Sequence, residues 1–83
     1  MRLDVVLHGL RLFKSRSQAQ AAIAAGHVLL NDTRVKPSHE VRVGDRLTFT
    51  SGPGRRKLEV LELPTRSLRA EAAKALVRNV SGE

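Results

Sequence analysis

The sequence predicts an α+β fold: a single small domain with an N-terminal helical hairpin packed on a small, mostly antiparallel sheet, and a C-terminal helix. Three observations lead there. Apolar residues recur at helical spacing up to residue 25, the period falls to two from residue 27, and helical spacing returns beyond Pro64. A chain of 83 residues makes one domain with a modest core. Its hydrophobic fraction of 41% excludes a disordered tail, and 2% aromatics means a core of Leu, Val, Ile and Ala.

Leu3, Val6, Leu7 and Leu10 share one helical face, and Asp4 puts a negative charge in the first turn, where the helix dipole favours it. A first helix is predicted over residues 2–10, weakened at its end by Gly9. Arg11 to Lys14 form a short connector in which Leu12 and Phe13 pack inward. Ser15 to Gln18 reads S-x-x-Q, the capping-box pattern, so a helix begins there. Ala19, Ala22, Ile23 and Gly26 follow on one face, giving a second helix over 16–25 that ends at Gly26 in a left-handed cap. Its small residues let it approach the first helix closely.

From His27 the chain alternates, with Val28 and Leu30 inward around Leu29. Asn31, Asp32 and Thr33 form a turn, Arg34 and Val35 resume extended chain, and Lys36-Pro37-Ser38 bends. Val41 and Val43 alternate with Arg42, and Gly44-Asp45 makes the next turn. Leu47 and Phe49 alternate with Arg46, Thr48 and Thr50, a half-buried strand with Phe49 in the core. Ser51 to Gly54 is a loop, and Arg55, Arg56 and Lys57 lead into a strand over Leu58–Leu63 that Pro64 ends. Leu68, Ala72, Ala75 and Leu76 predict the C-terminal helix, capped by Ser67, with Ser81 to Glu83 frayed.

Fifteen Lys and Arg against eight Asp and Glu give a formal charge of +7 and a pI of 11.4, which calls for a polyanionic partner. The cations do not lie opposite a bulky apolar helix face, so a membrane surface is not expected. The N-terminus has neither the form of a signal peptide nor that of a span. Without cysteine there is no disulfide and no thiolate zinc site. His8, His27 and His39 are scattered, and Ser15 and Ser17 read as cap residues with no base placed beside them. Asp4, Asp32, Glu40 and Asp45 fall at a helix start, a turn, a strand edge and a turn. No catalytic set, metal site or cofactor motif emerges, so the chain is expected not to be an enzyme and to need no cofactor.

The positive charge is concentrated. Arg11, Lys14 and Arg16 cluster where the second helix begins, and no acid occurs between Asp4 and Asp32. Amides at a helix N-terminus already favour phosphate, and three cations reinforce them. Ser17 and Gln20, turned away from Ala19 and Ala22, can bond ribose or phosphate oxygens. Arg16 shares the azimuth of Ile23, so it must splay outward from the first helical position. With so few aromatics, base stacking is not expected; phosphate and 2′-hydroxyl contacts to structured RNA are. A DNA-binding helix-turn-helix fits residues 3–25 coarsely, but lacks a dimer face and base-reading side chains along the helix.

These residues resemble a known family, the RNA-binding module named after small-subunit ribosomal protein four. The matching stretches are RLD at Arg2–Asp4, FKSRSQA at Phe13–Ala19, AGHV at Ala25–Val28, the Asn31-Asp32 turn with RVKPS up to Ser38, and VRVGDRLTF at Val41–Phe49. On that resemblance residues 1–50 are the module, and 51–83 add a strand and C-terminal helix that complete the same domain. Over its whole length the chain is similar to free-standing bacterial members, the ribosome-associated quality control factor and the fifteen-kilodalton heat shock protein. The resemblance implies a non-catalytic adaptor, and the chain is expected to be cytoplasmic and a monomer. It would bind ribosomal RNA and peptidyl-transfer RNA on a large ribosomal subunit obstructed by a nascent chain, and assist a partner that adds alanine tails. Arg2 and Arg16 would be the principal RNA contacts, with Arg11, Lys14, Ser17 and Gln20 beside them and Arg34, Lys36 and Arg42 extending the surface. Two positions depart from the family pattern. Val5 stands where lysine is common, and Asn31-Asp32 where Asn-Gly is common, which leaves the turn type open.

Overall fold

A computed structural model describes residues 1–51, 54–64 and 75–80. In chain order the elements are α1 (Leu3–Gly9), α2 (Arg16–Ala24), β1 (Val28–Leu30), β2 (Arg46–Ser51), β3 (Gly54–Val60) and β4 (Val77–Asn79). The strands form one sheet in the order β1-β2-β3-β4, antiparallel throughout. The helical hairpin covers one face of it, the α+β arrangement expected from the sequence. The core joins Leu3, Val6, Leu7 and Leu10 of the first helix and its C-cap, Ala19 and Ile23 of the second, and Val28, Leu30, Leu47 and Val60 of the sheet. These apolar groups leave water together, which is the main favourable term holding the hairpin to the sheet.

Local chemistry sets the helix ends. Arg2, the N-cap of α1, offers no side-chain cap. The first amides of α1 are satisfied instead by the segment between β1 and β2, Leu3 N–H donating to the His39 carbonyl at 2.8 Å and Asp4 N–H to that of Pro37 at 3.1 Å. Ser15 Oγ accepts from Gln18 N–H at 3.1 Å, the first half of the expected capping box. At the other end of α2, Gly26 has φ +81°. Gly26 N–H donates to Ile23 and His27 N–H to Ala22, the pair of bonds of a Schellman cap. The Arg34 guanidinium adds a bond to the Ala24 carbonyl at 2.8 Å. In the hairpin loop after β1, Asn31 and Asp32 have φ 51° and 63°. Leu30 and Thr33 exchange both backbone bonds across it, so the open turn type is I′.

Several expectations need correction. Val43 is 61% exposed while Val41 is buried. Residues 42–45 form a tight turn rather than a strand, because Asp45 accepts from the Arg42 amide and Gly44 takes φ +96°. On β2 the buried pair is Leu47 and Thr48, and Phe49 is half-buried. Thr48 lies on the sheet's second face, between Leu29 and Lys57 in register, with its hydroxyl directed to Asp32. The third strand starts at Gly54, so Arg55, Arg56 and Lys57 lie within it, and it ends at Val60 rather than Leu63. The predicted C-terminal helix falls mostly on residues 65–74, outside the described residues. Its predicted end is different in kind: Ala75 and Leu76 form a turn and Val77–Asn79 pair with β3.

Candidate nucleic-acid interface

The cations expected at the start of α2 are organised by one carboxylate. Asp4 has no exposed surface. Its oxygens accept from Arg2 Nε at 3.1 Å and a terminal guanidinium nitrogen at 2.9 Å, from Gln20 Nε2 at 2.8 Å and from its neighbour's amide, Val5 N–H, at 2.8 Å. Arg16 approaches the same carboxylate at 3.5 Å. Arg16 and Gln20 can both reach it because they lie four residues apart, one turn of α2, on the side facing α1. Burial by itself would push the Asp4 carboxyl up. The hydrogen bonds from Gln20, Arg2 and the Val5 amide, with the Arg2 charge, outweigh it and hold the group below the ordinary carboxylate range.

This arrangement answers how Arg16 escapes the azimuth of Ile23. Its side chain leans toward α1 and remains 49% exposed; that of Arg2 is 48% exposed. Two guanidinium charges thus share one buried anion and keep a net positive outer surface. Asp4 itself is closed to solvent, so a ligand approaching from outside meets cations and not the carboxylate. Gln20 is bonded inward, where the sequence suggested an outward-facing amide.

The remaining candidates fall into two groups. Arg11 and Lys14 lie exposed in the α1–α2 connector, Arg11 at φ 62°, and with His8, Leu12 and Phe13 they line a shallow depression. Ser17 is exposed on the first turn of α2. Lys36 and Arg42 are exposed on the chain that crosses the start of α1, where Pro37 receives the Asp4 amide and Val41 N–H donates to Met1. Arg34 sits at the far end of α2, against Gly26, and works as a helix cap. No group of three or more His, Asp or Glu among the described residues is placed to hold a metal, and no described helix is long and apolar enough to cross a membrane.

Sequence reasoning missed two features. The sequence presents Asp4 as a dipole partner; the signal of its larger role is the i, i+4 spacing of Arg16 and Gln20 opposite the Arg-x-Asp at positions 2 to 4. The sequence pattern places Phe13 and Phe49 both in packing. They are half-buried, touch with ring centroids 6.3 Å apart at 42°, and line an open groove between α2 and β2.

Residues 1–47 match the model of the S4 domain. The chain belongs to the S4 domain family. It is 36% identical over 73 residues to an RQC P-site tRNA stabilizing factor of Bacillus subtilis, covering 88% of this chain and 85% of that protein. A Heat shock protein 15 homolog of Haemophilus influenzae is 34% identical over 76 residues, 92% of this chain but only 58% of its own length. Among solved structures, the trimeric heat shock protein 15 of Vibrio cholerae superposes with a TM-score of 0.90 at 30% identity, over 98% of this chain and 82% of that one. The S4 match contains α1, α2, β1 and every candidate cation from Arg2 to Arg42.

Proposed function

We propose that this chain is a non-catalytic RNA-binding adaptor of the large ribosomal subunit. In this reading it contacts ribosomal RNA and peptidyl-transfer RNA when translation stalls, in the cytoplasm and as a monomer, beside a partner that tails the nascent chain. The observation that carries it is the convergence of Arg2 and Arg16 on buried Asp4, with about half of each arginine side chain left to solvent. Guanidinium forks held in place lose less rotamer entropy when they meet a phosphate. The names of the Bacillus and Haemophilus relatives support the setting, one a P-site tRNA stabilizing factor and the other a heat shock protein.

The test is co-sedimentation of the protein with large ribosomal subunits over a salt series, with duplex DNA and an unrelated structured RNA as competitors. Phosphate contacts release counterions, so binding should fall steeply with salt. Arg2→Ala and Arg16→Ala should each weaken association and lower the slope of log affinity against log salt by about one, measured at a temperature where circular dichroism shows both variants folded, since each also takes a partner from buried Asp4. Unchanged association in both variants, or equal displacement by duplex DNA, sinks the reading. Recovery of a nascent-chain-tailing protein with the tagged chain from stalled ribosomes tests the partner, and sedimentation equilibrium tests the monomer.

A further inference from the structure

The groove between α2 and β2 plays no part in the phosphate-binding surface described above. Its volume is about 650 Å³, inside the roughly 300–1,000 Å³ range of small-ligand sites. One wall is the outer face of α2, where Ala21 and Ala25 carry no long side chain and a flat group can come close to the helix. The other wall is aromatic, Phe13 from the connector and Phe49 from β2, tilted at 42° and not closed into a stack. His27 and Arg56 complete it, and among the described residues that line it none is acidic. Leu12 and Phe13 also line the depression that holds Arg11 and Lys14, so the groove opens beside the basic connector.

Resting on the RNA-binding reading, we propose that this groove receives one unpaired nucleobase of the bound RNA, laid against Phe13 and Phe49 with its phosphate met by Arg56. An apolar slot with the Arg56 guanidinium at its rim suits a base on a charged backbone better than it suits an apolar peptide, which brings no anion to that guanidinium. Stacking on an aromatic ring is tolerant of sequence, so the site selects an unstacked nucleotide and not a particular base. The structured-RNA contacts of Arg2 and Arg16 and this stacking contact then act on neighbouring parts of one RNA.

The experiment uses an RNA hairpin carrying a single bulged 2-aminopurine and the same hairpin fully paired. The unmodified 83-residue chain should bind the bulged form about tenfold more tightly and change the 2-aminopurine fluorescence. Phe13→Leu and Phe49→Leu should lose that preference and the fluorescence change while keeping the affinity for the paired form. Arg56→Gln should reduce the preference, and Ala21→Glu, at an exposed helical position that does not threaten folding, should abolish it. Equal binding of both hairpins by the unmodified protein with no fluorescence change overturns the groove and leaves the phosphate surface standing. Binding to neither hairpin overturns both. Groove variants that alter self-association on sedimentation and leave the bulge preference intact would show that a second copy occupies the groove, and would also overturn the proposal.

Discussion

Asp4 has no exposed surface, yet it accepts hydrogen bonds from Arg2, Gln20 and one backbone amide and pairs with the charge of Arg16. Asparagine has the same shape but brings an amide where a charged acceptor stood. Asp4→Asn should therefore lose charge-assisted bonds worth about 2 kcal/mol of stability, measured by urea unfolding at neutral pH. The pH dependence has a definite sign. The folded carboxyl lies below the ordinary aspartate value that the unfolded chain keeps, so its contribution is present in full above that value. It is lost as pH falls through the lower, folded value, because the unfolded chain takes up the proton first. Acid titration of the unmodified protein should show this loss below about pH 4, and Asp4→Asn should show a shallower acid limb. An equal acid limb in the two proteins would mean that another carboxylate governs it.

At the scale of elements, α2 is a nine-residue helix bounded by two local devices, Ser15 at its start and Gly26 after its end. Ser15→Ala should cost about 1 kcal/mol by removing the bond to Gln18 N–H. Gly26→Ala should cost about 1–2 kcal/mol, since alanine is strained at φ +81° and its Cβ would meet the Arg34 guanidinium at 3.3 Å. The two sites share no partner across the length of α2, so the double variant should lose the sum. Thermal melts of the four proteins check this, and a marked shortfall in the double variant would mean that α2 frays as one unit. Both devices were legible in the sequence, because each acts within about five residues of its own position. So was the inward pair Val28 and Leu30. Less legible were features set by distant partners. The strand Val77–Asn79 exists through its register with Leu58 to Val60, and nothing in the alanine-rich stretch before it marks the change from helical spacing. Phe49 reads as core by alternation, but the alanine face of α2 leaves room beside it, and Thr48 is buried on the opposite side. The meeting of Asp4 with Arg16 and Gln20 needs α1 and α2 to be folded against each other, and only their spacing hinted at it.

On the scale of the whole molecule, a charge of +7 on 83 residues works in two directions. It repels itself within the folded chain, and it attracts a polyanion from solution. Salt screens both effects, so the stability of the free protein and that of its RNA complex should respond to salt with opposite sign. Raising salt should modestly increase the melting temperature of the protein alone. Any RNA that binds the folded chain and not the unfolded one stabilises it by mass action, by about 2.7 kcal/mol at a hundredfold excess over Kd. For a domain of this size that corresponds to a rise of roughly 10–20 °C at low salt. The rise should shrink steadily as salt is added, because the affinity behind it falls with counterion release. Arg2→Ala combined with Arg16→Ala should reduce the low-salt rise most strongly, and should also lower the melting temperature of the free protein, because buried Asp4 then loses both of its cationic partners. Melting curves at four or five salt concentrations, with and without a fragment of large-subunit RNA, give all of these quantities together. A rise that persists undiminished at high salt would assign the attraction to apolar contact instead of charge, and would move the centre of the interface from the Asp4 cluster to the groove beside Phe13 and Phe49.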